Sequence, residues 1–323
     1  PFEQRKQWLT LADDLAARGL RLLAFAYSEI AEPEADFFQH LNFIGLVGFQ
    51  DPTRSEVRPA LASCHEAGIE VIMVTGDHPE TARNIAYETG LTESQDVPVV
   101  RGQDFLRGEE ISEELQEKML ETRVFARVSP AQKLDLITLY QGRGLTVGMT
   151  GDGVNDTPAL KKADIGIAMG QRGTEAAKEV ADIVLKDDAF SSIVMAIRQG
   201  RGIFENIRFF VIYLLSCNLS ELLAVAIAYL LNLTMPLLPL QILFLNMVTD
   251  VFPALALGFN EEAEDIMQRP PRKRDEPVIT RPMWGSIGVY ALAITAATVG
   301  ALLFAIHGLG ADDALANNFA FYT

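Results

Sequence analysis

Residues 145–160 read LTVGMTGDGVNDTPAL, an apolar run that ends in a turn of glycine, hydroxyl and acidic residues. The run 145–149 predicts a β-strand. Asp152, Asn155 and Asp156 follow it and offer the hard oxygen ligands that suit Mg²⁺ held between carboxylates and a phosphate. In an open parallel sheet, ligands bind beyond the carboxyl ends of the strands. This stretch therefore predicts a phosphate-binding edge on an α/β sheet.

A second turn of the same kind, Thr75-Gly76-Asp77, follows the strand-like run 70–74. A hydroxyl residue followed by glycine lets backbone N–H groups approach a phosphate closely. Lys133, in a predicted helix over 130–140, can neutralise a phosphoryl oxygen. Each feature alone has a plainer interpretation, an ordinary capped turn or a surface lysine. Their combination and order favour phosphate chemistry.

Residues 41–200 alternate β-like runs with helical patterns, which predicts a doubly wound parallel sheet. Residues 1–40 precede this domain and are assigned to the end of another. The remaining predicted strands are 43–47, 124–126, 165–168 and 183–185. A helix with proline in its first turn is predicted at 79–89.

The chain has 323 residues and a formal net charge of −16. This charge argues against a nucleic-acid binder, which neutralises phosphates with clustered Lys and Arg. Cys64 and Cys217 lie in different parts of the chain, so the sequence offers neither a disulfide framework nor a zinc spacing. Because the chain starts at Pro1 without a methionine, we expect it to be part of a longer protein.

Residues 201–323 form a predicted all-α transmembrane domain. Its three apolar runs, 209–231, 237–257 and 284–306, reach the length of about 20 residues that crosses a bilayer. The connection 258–283 contains Arg269, Arg272, Lys273, Arg274 and Arg281, whereas 232–236 carries no charge. By the positive-inside tendency, we expect the head and the 258–283 connection to be cytoplasmic.

The predicted spans also carry oxygen ligands that share helix faces: Asn218 and Glu221 in the first, and Asn246, Thr249 and Asp250 in the second. A charge at the bilayer centre costs roughly 2.5–3.5 kcal/mol on insertion scales, so two carboxylates there indicate a function. Pro253 cannot bond the carbonyl of Thr249 and leaves it free to face a cation. An all-oxygen set favours a hard cation such as Ca²⁺. The plainer alternative is that the asparagines form hydrogen bonds between helices.

In this order, the motifs resemble those of P-type cation-transporting ATPases, in particular calcium pumps of the sarcoplasmic-reticulum type and their bacterial relatives. The phosphorylation domain of that family has the haloacid dehalogenase-like fold. The resemblance extends over practically the whole chain. It rests on Asp51-Pro52-Thr53-Arg54, Met73 to Asp77, Phe125 to Pro130 with Lys133, Met149 to Leu160, Ser216 to Glu221, Leu245 to Asp250 and Met267 to Arg272.

The resemblance implies a role for each motif residue of the head. Asp51-Pro52 would form the hinge to the nucleotide-binding domain, whose end is residues 1–40. Thr75 and Gly76 would hold the transferred phosphate, with Asp77 beside them. Arg127 would help to hold ATP, and Lys133 would stabilise the phosphoryl group. Asp152 would bind Mg²⁺, with Asn155 and Asp156 completing that site.

The chain also departs from the family pattern. The family's nucleophile lies in a D-K-T-G-T motif, which is absent from residues 1–323, as is the T-G-E-S loop of dephosphorylation. We therefore expect this chain alone to be inactive. Its partners would be ATP, a cation, the lipid bilayer and the missing parts of the same pump, namely the actuator domain, the phosphorylation-site segment and the other spans.

In the membrane, the resemblance implies that Asn218, Glu221, Asn246, Thr249 and Asp250 are Ca²⁺ ligands, joined by others from a fourth and an eighth span. A helix over 190–231 is expected to link the head to this site. Two alternatives stay open: a pump for Mn²⁺, Na⁺ or H⁺, and a non-catalytic membrane protein that binds cations or a partner. A phosphatase head on a membrane anchor predicts a D-x-D motif, which is absent. The sequence DHPET at 77–81 favours a prokaryotic cell membrane.

Overall fold

A computed structural model describes residues 2–17, 20–28, 41–49, 52–104 and 112–323. Asp51 of the predicted hinge lies outside the described residues, as does the predicted domain end from residue 29 to residue 40. The chain divides into two compact units, residues 1–195 with 267–274, and residues 196–266 with 275–323.

The first unit contains all the strands of the described residues. In chain order they are β1 (Arg21–Tyr27), β2 (Asn42–Phe49), β3 (Met73–Val74), β4 (Val99–Arg101), β5 (Val124–Ala126), β6 (Gly148–Gly151), β7 (Ile165–Met169) and β8 (Ile183–Leu185). Its helices are α1 (Phe2–Ala17), α2 (Val57–Glu66), α3 (Pro79–Thr89), α4 (Glu113–Glu121), α5 (Pro130–Gly142), α6 (Thr157–Lys162) and α7 (Glu175–Val180).

Strands β1 and β2 form an antiparallel pair of their own. The sequence correctly predicts a strand at 43–47, but its placement in the parallel sheet is wrong. Strand β2 pairs along its length with β1, whereas the parallel strands of the described residues are only two to five residues long. The neighbouring side chains of Phe43 and Ile44 are both exposed. Trp8 of α1 packs edge-on against Phe43, with the ring centroids 5.0 Å apart, and the described residues leave the side chain of Ile44 exposed.

Two three-stranded parallel sheets, in the orders β3-β5-β4 and β6-β7-β8, form the core of the first unit. Successive side chains of a strand point to opposite faces, and β5 shows this pattern. Phe125 is fully buried against Met119 and Leu136 on one face, while its neighbours Val124 and Ala126 pack on the other against α3. Helices therefore cover both faces of β5, as the predicted double winding requires.

A buried hydrogen bond fixes α5 against α4 on the first of these faces. The hydroxyl of Tyr140 donates to the backbone oxygen of Met119 at 3.1 Å. Burial, with a smaller contribution from Glu70, raises the pKa of Tyr140 to about 12. The phenol therefore stays protonated, and its donor remains available, throughout the physiological pH range.

The largest differences between the predicted and the observed strands lie at three places. The run 70–74 is strand only at Met73–Val74, 145–149 is shifted to Gly148–Gly151, and the sequence missed Val99–Arg101. Strands β3 and β6 each pair with one neighbour. Within the described ranges, the other edge of each has no strand partner.

The helices that follow are α8 (Phe190–Leu230), α9 (Pro239–Phe244), α10 (Val251–Gly258), α11 (Arg281–Leu303) and α12 (Asp313–Phe321). Among the described residues, three segments are long and apolar enough to cross a membrane, Phe190–Leu230, Pro239–Gly258 and Arg281–Gly308. The predicted continuous helix over 190–231 is confirmed by the 41 residues of α8. The second segment is built of α9, a π-helical turn at Leu245–Thr249 and α10.

A side-chain hydrogen bond joins α8 and α11, and small residues are buried on both helices. The buried hydroxyl of Thr295 donates to the backbone oxygen of Ser220 at 3.2 Å. Ala224, Ala228 and Ala291 are almost fully buried. Small residues and hydroxyl groups of this kind are typical of contacts between helices in membranes.

Candidate functional site

The first predicted phosphate turn leaves β3 and closes on itself. The hydroxyl of Thr75 donates to Oδ2 of Asp77 at 2.8 Å, and the backbone N–H of Asp77 donates to that hydroxyl oxygen at 3.1 Å. Gly76 between them is exposed, and a Cβ added there would meet no atom within 4 Å. The backbone at Gly76 is therefore open to an incoming anion, as phosphate turns require.

Backbone hydrogen bonds tie this turn to the segment after β5. The N–H of Arg127 donates to the oxygen of Asp77 at 3.2 Å, and the N–H of Val128 donates to the oxygen of Thr75 at 3.1 Å. Arg127 is exposed, whereas Val128 is buried. The predicted nucleotide-contacting arginine thus lies beside the predicted phosphate turn.

The second predicted turn leaves β6 and is packed around Asp156. A Cβ added to Gly151 would lie 2.6 Å from the Cβ of Asp156, so a residue without a side chain is required there. Asp152 and Asn155 are exposed, whereas Asp156 is 9% exposed. The exposed carboxylate and amide therefore face solvent, where a hydrated metal ion can reach them.

Helix α5 brings Lys133 to this second turn. Its Nζ lies 2.6 Å from Oδ1 of Asp156, and the two side chains are only 17% and 12% exposed. Ser129 and Gln132 form a capping box that starts α5 and so sets the position of Lys133 one residue later. The structure thus brings together Lys133 and Asp156. The turns at Thr75 and Asp152 share no hydrogen bond or ion pair within the described part of the chain.

Asp188, which the sequence analysis missed, braces the loop behind Asp152. Its carboxylate accepts from the backbone N–H groups of Gln171 at 2.9 Å and Arg172 at 2.8 Å. The hydrogen bond from Gln171 is the main reason that the pKa of Asp188 lies below its usual range. The same loop reaches the turn through the N–H of Thr174, which donates to the oxygen of Asp152 at 2.8 Å. A lone aspartate after a strand gives no sequence signal for this role.

In the membrane unit, two of the five predicted cation ligands meet directly. The side-chain amide of Asn246 donates to Oε2 of Glu221 at 3.0 Å and also to the backbone oxygen of Ile242 at 3.0 Å. Asn246 lies in the π-helical turn, which the N–H of Asp250 closes on the oxygen of Leu245 at 2.8 Å. Such turns carry one extra residue and are frequent at functional sites.

Asp250 is 7% exposed, and only one of its two carboxylate oxygens accepts a hydrogen bond in the described structure. The hydroxyl of Tyr213 donates to its Oδ1 at 3.2 Å, whereas Oδ2 is buried without a hydrogen-bond partner in the described structure. Tyr213 was not identified from the sequence, because a tyrosine in an apolar run is typical of a lipid-facing position.

The two remaining predicted ligands do not join this cluster. The amide of Asn218 donates to the backbone oxygen of Leu214 on its own helix at 2.8 Å, and its side chain is exposed. Thr249 is exposed as well. On an α-helix Thr249 would lie near the face of Asn246, three residues earlier, but the wider repeat of the π-helical turn moves it off that face.

Comparison with protein families gives different matches for the head and for the membrane part of the chain. Residues 3–164 match the family described as haloacid dehalogenase-like hydrolase, and residues 135–197 match a second family of that description. Residues 234–323 match the family described as cation transporting ATPase, C-terminus.

Curated relatives align along most of this chain. A calcium-transporting ATPase of Bacillus subtilis is 42% identical over 325 residues, which cover 99% of this chain and 36% of that protein. The cation-transporting ATPase pma1 of Synechocystis is 44% identical over 84% of this chain and 30% of its own length. An endoplasmic reticulum-type calcium-transporting ATPase of Arabidopsis thaliana is 39% identical over 90% of this chain and 29% of its own length. The chain thus spans about a third of the length of these relatives.

Proposed function

We propose that this chain, which belongs to the haloacid dehalogenase-like hydrolase family, is the carboxyl-side part of a P-type ATPase that transports Ca²⁺ from the cytoplasm. Its relatives are calcium-transporting and cation-transporting ATPases. The observation that carries the proposal is the contact between Glu221 and Asn246, with the buried Asp250 four residues further along the same segment, in a chain whose head holds the Lys133–Asp156 contact.

In the head, an aspartate carboxylate oxygen would attack the γ-phosphorus of ATP, ADP would leave, and water would later release inorganic phosphate. Thr75 and Gly76 hold the transferred phosphoryl group through the open backbone of their turn, with Asp77 beside them. Lys133 neutralises one phosphoryl oxygen. An ammonium has three donors, so Lys133 can keep Asp156 and still reach a phosphate. Arg127 holds the nucleotide.

Asp152 would hold Mg²⁺, with Asn155 and Asp156 completing the site. The donor set fits this ion, because a carboxylate and an amide stand exposed on one turn and a second carboxylate lies next to them. When bound, Mg²⁺ supplies positive charge for the phosphoryl oxygens.

The nucleophile would come from a segment that this chain does not contain, since no D-K-T-G-T motif occurs in it. The open edges of β3 and β6 support this proposal. Each of these strands carries one of the two phosphate turns and lacks a second strand partner among the described residues. An added parallel strand at either edge would bring its own carboxyl end beside the turn that follows that edge strand. This chain is accordingly inactive by itself.

In the membrane, Glu221, Asn246 and Asp250 would coordinate the transported ion, with Asn218 and Thr249 turning towards it. The buried, unpartnered Oδ2 of Asp250 supports this assignment, because a buried carboxylate oxygen is costly unless a donor or a cation satisfies it. Oxygen ligands of mixed charge suit Ca²⁺.

The head and the 258–283 connection would face the cytoplasm of a prokaryotic cell. Four of the five basic residues of that connection fall within residues 269–274, and basic residues are retained on the cytoplasmic side. Two of the three relatives described above are bacterial proteins.

ATP-driven uptake of radioactive Ca²⁺ into inverted vesicles tests this proposal in the complete pump, meaning the polypeptide that joins this chain to the segments its relatives have in addition. Asp250→Asn and Glu221→Gln should abolish uptake, and Asp152→Asn should lower it by about 100-fold or more, as expected when a charge-stabilising group is lost. Glu264→Gln, at an exposed carboxylate outside both sites, is the control and should leave uptake unchanged. Uptake that persists in Asp250→Asn, or uptake of Mn²⁺ or Na⁺ but not Ca²⁺, would refute the calcium assignment.

A further inference from the structure

Arg127 has a left-handed backbone conformation, with φ at 55°. For a residue with a side chain this conformation is less stable than the right-handed region, because the Cβ comes too close to the backbone oxygen that follows. It persists only where the surroundings enforce it, and such residues cluster at functional sites. The contacts around Arg127 therefore identify what holds it.

Gly102, directly after β4, is the first of these contacts. A Cβ added to Gly102 would lie 2.3 Å from the backbone oxygen of Arg127 and 2.6 Å from Oε1 of Gln132. The φ angle of Gly102 is not in the left-handed region, so only the lack of space requires glycine here. Any larger residue would displace the peptide that follows Arg127.

Gln132, on the first turn of α5, is the second contact. Its Nε2 donates to the backbone oxygen of Gly102, and its Oε1 accepts from the backbone N–H of Ser129 at 2.9 Å. The side chain is only 9% exposed. Gln132 thus joins β4 to the start of α5 around the peptide of Arg127.

The backbone hydrogen bonds from Arg127 to Asp77 and from Val128 to Thr75 close this arrangement on the side of the phosphate turn. Ala126 and Val128 are buried, whereas Arg127 is exposed between them. The left-handed backbone therefore directs the one long cationic side chain of this segment outwards while both neighbours stay packed.

We infer that Gly102 and Gln132 are positioning residues that hold Arg127 in its left-handed conformation and so direct its guanidinium to the nucleotide. This inference rests on the proposed function, since the nucleotide is the ligand of that site. Neither residue touches the nucleotide; both act through the backbone of Arg127.

The test uses the complete pump and two ways of phosphorylating it. Phosphorylation from ATP needs the nucleotide, whereas phosphorylation of the same aspartate from inorganic phosphate reverses the hydrolytic step and does not. Gly102→Ala should raise the ATP concentration for half-maximal phosphorylation about tenfold, the effect of one lost charged hydrogen bond. Phosphorylation from inorganic phosphate should stay within about twofold, since the atoms nearest to a Cβ at Gly102 belong to Arg127 and Gln132, and the Lys133–Asp156 contact does not involve Gly102.

Two further variants separate positioning from folding. Gly142→Ala is the matched control, because a Cβ there meets no atom within 4 Å, and it should change neither reaction. Gln132→Glu keeps the acceptor for Ser129 but loses the donor to Gly102, so it should shift the ATP dependence in the same direction as Gly102→Ala. In an Arg127→Ala background, Gly102→Ala should cause no further shift, because its effect passes through Arg127.

The outcomes are distinct. Parallel loss of both phosphorylation reactions in Gly102→Ala, or a further shift on top of Arg127→Ala, would show a merely structural role and overturn the inference. An unchanged ATP dependence in Gly102→Ala would overturn it as well. A pump without substitutions that forms no phosphoenzyme from either donor would instead contradict the proposed function. Gly102→Ala should also speed amide hydrogen exchange at Arg127 and Val128 and leave exchange in β7 unchanged. If exchange at Arg127 and Val128 does not change, Gly102 does not hold the backbone of Arg127 and the inference is wrong.

Discussion

The ammonium of Lys133 lies 2.6 Å from Oδ1 of Asp156, and both side chains are largely buried. This contact joins α5, which follows the sheet of β3, β4 and β5, to the turn that follows β6 in the other sheet. It is the direct side-chain link between a predicted phosphate-binding lysine and a predicted Mg²⁺ ligand.

A double-mutant cycle with Lys133→Ala and Asp156→Ala should give a coupling energy of about 1–3 kcal/mol, because either single change leaves a largely buried charge without its partner. The measurement is urea unfolding of the detergent-solubilised chain, followed by circular dichroism. The control pair is Lys178–Glu175, where the carboxylate is 91% exposed and the coupling should be about 0.5 kcal/mol or less. Equal coupling in the two pairs would contradict this account.

Gly151→Ala should destabilise the head by about 1–3 kcal/mol, the usual effect of overpacking, since its new Cβ would lie 2.6 Å from the Cβ of Asp156. Gly153→Ala, two residues later on the same turn, is the matched control. Its Cβ would come no closer than 3.7 Å to Oδ2 of Asp156, and it should be tolerated. The same unfolding experiment ranks the two variants, and the reverse ranking would show that the turn is not packed around Asp156.

The limits of prediction from sequence are visible in individual elements. The three membrane segments were predicted because lipid demands about 20 apolar residues in a row, a pattern that few other structures produce. The turns at Thr75 and Asp152 were placed correctly after strands, because their residues change abruptly from apolar to small and polar. A strand pattern does not name its partner, however, so the antiparallel pairing of β2 with β1 could not be foreseen.

The site residues show the same division. Lys133 and Asp156 were each predicted, but their contact depends on packing between sequence-distant elements. The π-helical turn at Leu245–Thr249 has no apolar pattern of its own, so the sequence predicted an α-helical face for Asn246, Thr249 and Asp250. Contacts made by backbone groups, such as those around Gly102, leave no signal in side-chain chemistry.

Asp188 predicts a specific acid dependence of the loop 170–174. Hydrogen bonds lower the pKa of Asp188 in the folded chain. Its contribution to stability is therefore fully present above the unfolded value of about 3.9 and is lost as the pH falls through the folded pKa. Amide hydrogen exchange at Gln171 and Arg172 measures this effect after correction for intrinsic rates.

At neutral pH, Asp188→Asn should speed exchange at both amides, and the difference from the unsubstituted chain should shrink below about pH 4. Exchange at Ala168, in the middle of the sheet on β7, serves as the control and should not respond. A difference that stays constant down to pH 2 would show that the charge of Asp188 does not hold the loop.

Tyr213→Phe removes the hydroxyl that donates to Asp250 and should lower the thermal stability of the detergent-solubilised complete pump in the absence of Ca²⁺. The loss should be about 1–3 kcal/mol, since a buried carboxylate loses its donor. Added Ca²⁺ should reduce this loss, because the ion satisfies the same oxygens and stabilises the folded state by binding. Tyr229→Phe, on the same helix but 75% exposed, should have no effect. A Tyr213→Phe defect that is indifferent to Ca²⁺ would place Asp250 outside the cation site.

The dependence of phosphoenzyme formation on free Ca²⁺ tests the central claim most directly, because it reads the membrane cluster through the chemistry of the head. In the complete pump, transfer of the γ-phosphoryl group of radioactive ATP to the protein should require Ca²⁺. The Asp250→Asn variant should form no phosphoenzyme from ATP at any Ca²⁺ concentration, while its phosphorylation from inorganic phosphate continues. Phosphoenzyme that forms from ATP equally well with and without Ca²⁺, in the unsubstituted pump or in Asp250→Asn, would contradict the account.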